Sequence, residues 1–136
     1  MDQQPALSAT EILPLRQSSV ATMAAHGAID ASQVAAAFRF RNAFEITVEA
    51  KRESIGFAEW QSPGPPPPEI AEARAGAAQD LKHARHLLGA HGYALVGRVV
   101  GEGYHLADLF SLRRERDAMT WMLKLHLTSL ARLWRC

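Results

Sequence analysis

Cysteine is all but missing from this chain: its single cysteine is Cys136. That excludes a disulfide framework and a thiolate-based metal site. Long apolar runs are missing too, and with no stretch of about eighteen apolar residues no segment is read as crossing a membrane. The opening MDQQPALSATEILPLRQ starts acidic and builds no apolar core, so it does not read as a secretory signal. The setting expected from these absences is soluble, reducing and cytoplasmic. A phosphate-cradling Gly-Lys-Ser/Thr is also absent. GEGYHL at Gly101–Leu106 holds the first two glycines of a dinucleotide motif, but Leu106 replaces the third and no strand precedes it. No segment alternates apolar and polar residues, so no strand is expected.

What is present is helical periodicity. With 136 residues, the chain is long enough for one domain with its own core. The fold class expected is all-α, a compact domain of about four to six helices with a helix-turn-helix-like unit at the C-terminus. Residues 1–16 read as a mobile arm and 17–60 as N-terminal helices. Residues 61–68 read as a proline-rich linker and 69–136 as the helix-turn-helix-like half. Repeats are absent, which excludes a solenoid.

The net charge of +1 hides an asymmetry. Up to Ala73 there are five basic and nine acidic residues, and from Arg74 onward ten basic and five acidic. The basic half is where a phosphate-binding face belongs. The plainer alternative is attraction between the two halves.

Along the chain, SSVATMAAH predicts a short helix closed by Gly27, a residue suited to the left-handed conformation. Asp30 and Gln33 form a capping box for a helix from Ala31. Its apolar face is read from Val34, Ala37, Phe38, Phe44 and Val48, with Arg41 at the edge. QSPGPPPP breaks the pattern: a stiff spacer, or a ligand for an aromatic groove. Trp60 is placed to cover the next helix. Pro68 starts that helix, with Glu69 and Glu72 in the first turn. The stripe Ile70, Ala73, Ala77, Leu81, Ala84, Leu87 and Leu88 follows, and His91-Gly92 is expected to stop it. His83 and His86, with His91, form a metal set on paper, but histidines near a helix C-terminus read more simply as dipole partners.

The stretch from Gly92 to Trp134 organises the rest. A single apolar turn, YHLADLF, precedes SLRRERDAMTWMLKLHLTSLARLW. A short helix, a tight link and a long helix with a charged start is the outline of a helix-turn-helix, whose second helix enters a DNA groove with its first residues on base edges. Many helical hairpins share that outline. Ser111 is expected to cap the long helix, leaving Arg113, Arg114 and Arg116 at its start. Arginine there opposes the helix dipole, so local stability does not explain it, whereas a phosphate or guanine does. RRERD is also an ordinary solvated charge run, the less favoured reading, since Glu115 and Asp117 neutralise part of it. Asp117, Thr120, Lys124, Thr128, Arg132 and Arg135 trace a polar stripe. The candidate nucleic-acid contacts are Arg113, Arg114, Glu115, Arg116, Thr120 and Lys124. No catalytic residue, metal ligand or cofactor site is assigned. Trp121 and Leu125 make the apolar arc wider than one core needs, which points to flanking helices or to a homodimer.

FSLRRERDAMTWMLKLHL is similar to the second helix of the helix-turn-helix in bacterial sigma factor region four. Phe110, Ser111 and Leu112 take the lead-in positions, and Arg114, Glu115 and Arg116 take the Arg-Glu-Arg that faces promoter DNA. Arg113 stands where that family has threonine, and Leu106–Phe110 is nearly a full turn shorter than the family's first helix. The wider stretch from Ala37 through LLGAHGYALVGRVVGEG to LTSLARLW resembles an alphaproteobacterial domain family found behind helix-turn-helix units. The wider resemblance, to a family of unknown function, implies fold and bacterial origin more than activity. RRERD at a helix start in the basic half, with the sigma-factor likeness, makes the expected function a bacterial DNA-binding transcriptional regulator, with double-stranded DNA and RNA polymerase as the expected partners. A second reading of the residues is a non-catalytic helical interaction or assembly module.

The helix phases also predict one buried cluster of Leu95, Val96, Val99, Leu106, Leu109, Leu112, Met119, Leu123 and Leu127, with Thr128 left on the solvent side.

Overall fold

The computed structural model describes residues 19–57 and 64–136. The expected arm at 1–16 and Trp60 lie outside them. The described residues are mostly helical, with no strand among them. In chain order come α1 (Ser19–Ala25), α2 (Ala31–Phe57), α3 (Pro68–Val96), a π-helical segment (Gly97–Gly101), α4 (Leu106–Leu109) and α5 (Arg113–Trp134).

The helix boundaries follow local chemistry. Gly27 ends α1 region at a positive φ of 72°, which costs glycine no Cβ clash. The capping box before α2 is closed on both sides: the Asp30 N–H donates to Gln33 Oε1 and the Gln33 N–H to Asp30 Oδ1, each at 2.8 Å. Pro68 opens α3 with Glu69 in the first turn, and Pro67 before it lies at φ −54°, ψ 150°, close to polyproline geometry.

The expected stop at His91-Gly92 is corrected. The break falls at Gly89, whose φ of 76° and ψ of 175° kink α3, and helical backbone resumes beyond it. Gly92 instead sits inside the resumed helix. A Cβ there would come within 2.8 Å of the His126 ring, so its role is close approach to α5 rather than termination.

The core lies where α2, α3, the π segment and α5 meet. Phe40, Val96, Val99, Val100, Leu123, Leu127 and Leu130 are fully buried, and burying such side chains contributes about 1.5–3 kcal/mol each. The face read for α2 holds at Ala37, which is buried, and at Val34 and Phe44, which pack against the core, but misses at Phe38, which is 50% exposed, while Phe40 is the buried ring. Phe38 and Phe40 both fit a helical stripe with Phe44 and Val48, and the buried Ala36, Ala37 and Ala43 fall on the side of Phe40. Arg41, expected at an edge, is buried. Its guanidinium donates to the Val100 carbonyl at 3.3 Å and pairs with Glu45 at 3.7 Å.

A polar clamp also joins three helices. Arg39 of α2 makes two 2.9 Å bonds to the Asp80 carboxylate of α3, and its guanidinium lies 4.9 Å from the centroid of the Trp134 ring of α5.

Candidate nucleic-acid interface

The candidate interface is built from α4, the link Phe110–Leu112 and the start of α5. A residue far away in sequence anchors α4: the Ser19 hydroxyl of α1 accepts the Leu106 N–H at 3.1 Å. The His105 N–H donates to Asp108 Oδ2 at 3.1 Å. Ser19 and Leu106 are both buried, so this single turn is fixed to the body at its N-terminus. No pattern in the sequence marks Ser19 for that role, because the pairing spans 87 residues.

Ser111 is not the cap of α5. Leu112 holds that position in extended backbone, with no side-chain cap bond. What secures the link is Arg116, whose guanidinium donates to the carbonyls of Phe110 at 3.2 Å and Ser111 at 2.8 Å. Arg116 therefore positions the turn through its Nη1, which serves both carbonyls.

The other candidate residues divide. Arg113 has a side chain 88% exposed, with Asp117 at 3.9 Å. Arg114 is exposed, with no ion pair among the described residues. Glu115, also exposed, lies in the first turn of α5, where a carboxylate suits the dipole. Thr120 is half-buried and its hydroxyl donates to the Arg116 carbonyl at 2.8 Å. Lys124 is half-buried, and its carbonyl accepts from Gln33 Nε2 at 3.1 Å and from the Thr128 hydroxyl at 3.0 Å. Arg98, the other cation near this region, pairs with Glu102 at 3.5 Å.

These cations do not share one face. At about 100° per residue, Arg113 and Arg114 leave α5 on different sides, while Arg116 turns back to the link. Lys124 lies on the side facing α2, because Gln33 reaches its carbonyl. The outer face of α5, opposite Leu123, carries Arg114, then Trp121 at 62% and Leu125 at 43% exposure, then Arg132.

The expected cluster around Leu123 forms, with one correction. Val96, Val99, Leu106, Leu123 and Leu127 are buried, and Leu95, Leu109 and Met119 pack against them. Leu112 is 52% exposed, because at the N-cap its backbone is extended and off the helical stripe. Thr128 is not on a bare solvent face either: its hydroxyl accepts from Gln33 Nε2 at 3.1 Å.

Among the described residues, no group of three or more His, Cys, Asp or Glu is placed to hold a metal ion, and His83 bonds to Gln79 at 3.0 Å. No described helix is long and apolar enough to cross a membrane. The fold and site together define an all-α domain carrying a short-helix, link, long-helix unit. Compared with protein-family models, curated proteins and solved structures, the chain matches none of them.

Proposed function

We propose that the protein is a helix-turn-helix DNA-binding regulator that contacts double-stranded DNA through the first turns of α5. One observation carries this reading. All four buried residues of α5 are Leu123 or later, so Arg113–Met122 extends past the fully packed part of the helix with Arg113 and Arg114 uncovered. A rigid helix offering arginines at its uncovered start suits the major groove, where arginine bonds guanine in two places. Arg116 serves by holding the link, and Lys124 by charge at the side. RNA polymerase as a neighbour rests on the likeness to sigma factor region four alone, which is analogy at the level of fold.

The test is fluorescence anisotropy with labelled duplex DNA. Binding is expected near 50 mM salt and falls steeply as salt rises, because each neutralised phosphate releases counterions. No binding at about 50 mM salt sinks the proposal.

A specific observation favours a second reading, a helical interaction module. Trp121 and Leu125 are exposed on the outer face of α5 and Leu112 is exposed at its N-cap, and the cations around them point in different directions. Apolar residues rimmed by arginine suit a protein surface better than a phosphate backbone. Sedimentation of the wild type and of Leu125→Glu separates a homodimer from a monomer: a dimer lost in the variant, with no DNA binding, selects this reading.

A further inference from the structure

The kink at Gly89 lies near a cleft that no pattern in the sequence marks. Beyond the kink, Tyr93 and the π segment come back against α2 beside Leu81 and Arg85. The cavity of about 350 Å³ is lined by Phe44, Thr47, Val48 and Lys51 from α2, by Leu81 and Arg85 from α3, and by Tyr93 and Glu102.

Aromatic rings pack together at its walls. The rings of Phe44 and Phe40 stack at 6.3 Å, and Phe40 meets Tyr93 edge-on at 5.9 Å. Gly101 lets Phe44 sit against the π segment, since a Cβ there would lie 2.7 Å from the ring. Short π segments recur at functional sites, where they re-aim side chains.

The arginine at this cleft differs from the other arginines of the two helices. Of the arginines on α2 and α3, Arg39, Arg41, Arg52 and Arg74 each have a carboxylate partner. Arg85 has none among the described residues, and its guanidinium lies 5.1 Å from the centroid of the Tyr93 ring. Lys51, from the opposite wall, has none among them either. The one acid in the lining, Glu102, is paired with Arg98. Two cations without a carboxylate partner among the described residues thus face a largely apolar cleft at the small end of the range for ligand sites.

We propose that this cleft binds a small aromatic carboxylate, its ring between Phe44 and Tyr93 and its carboxylate on Arg85 and Lys51. The site is independent of whatever α5 contacts.

The test is titration of the full chain with benzoate and with phenylacetate, followed by amide NMR shifts, with benzylamine as the control cation. The carboxylates should shift the amides around Val48, Arg85 and Tyr93 saturably, with a dissociation constant on the order of 1 mM or tighter. Arg85→Gln should weaken this about tenfold by removing a charge-assisted bond. Val48→Trp, which fills the cleft, should abolish it. If Val48→Trp fails to fold, shown by loss of its thermal transition, Arg85→Gln decides alone. Absence of saturable shifts, equal binding of benzylamine, or indifference to Arg85→Gln would each overturn the proposal.

Discussion

The two ends of α5 obey different rules although they form one continuous helix. From Leu123 to Trp134 the helix is a core element: Leu123, Leu127 and Leu130 have no exposure at all, and α2 and α3 flank it through Gln33 and Gly92. From Arg113 to Met122 no residue is fully buried, and the charge is dense. The first end is explained by packing alone. At the second, Arg116 holds the link, but Arg113 and Arg114 sit near a helix N-terminus, where they oppose the dipole. The difference teaches where function is to be sought: the part of a helix that stability does not account for.

Substitution should separate the two ends sharply. Leu123→Ala removes a fully buried side chain and leaves a cavity, so it should cost about 2–5 kcal/mol. Trp121→Ala, two residues earlier on the outer face, should change stability by less than about 0.5 kcal/mol. Thermal melts of the two variants compare them directly, and equal losses would erase the boundary drawn at Leu123.

Gly92→Ala probes the inner seam. Its new methyl meets the His126 ring, so overpacking should cost about 1–3 kcal/mol. Chemical denaturation measures it, and a neutral result would mean that α3 and α5 stand further apart than described.

Thr128→Ala should cost about 0.5–1.5 kcal/mol, more than a simple surface change, because the half-buried threonine gives Gln33 a hydrogen-bond acceptor. The Lys124 carbonyl still accepts from Gln33, which keeps the loss modest. A melting temperature unchanged by Thr128→Ala would return Thr128 to the solvent face.

The inner seam also has a pH signature. Burial holds the His126 imidazole below its ordinary 6.5. The unfolded chain therefore takes up that proton first as pH falls. The stability tied to a neutral His126 is full above about 6.5 and is lost as pH falls through the lowered folded value. Glu102 works in the opposite sense: burial raises its carboxyl above the ordinary 4.5, so its cost appears as pH rises through the raised value. Melting temperatures between about pH 5 and 7.5 should fall on the acid side, and His126→Gln should flatten that fall. An unaltered slope in the variant would show that His126 does not carry it.

Much of the fold was legible because its signals are local. The capping box of Asp30 and Gln33, the glycine ending α1 and the proline opening α3 each depend on neighbours a few residues away. What was misread depends on contacts across the chain. Phe38 and Phe40 are equally apolar, and only the packing of neighbouring helices buries one of them. Gly89 and Gly92 are both helix-breaking on paper, yet His126 holds Gly92 inside a helix while Gly89 takes the kink. At the candidate interface the residue types were readable but their directions were not. Arg116 looks like its neighbours until the carbonyls of Phe110 and Ser111 claim it. The cleft beside Arg85 left no trace in the sequence, since its walls come from segments joined only by the fold.

The account stands or falls on whether the uncovered end of α5 binds DNA in a way the other end does not. Anisotropy with one duplex, at one low salt concentration, should compare Arg113→Ala/Arg114→Ala with the charge-matched Arg132→Ala/Arg135→Ala. The account predicts that the first pair loses about 1–3 kcal/mol of binding per base-reading arginine, and that the second loses little. Equal weakening by both pairs, or no binding by the wild type, would contradict it.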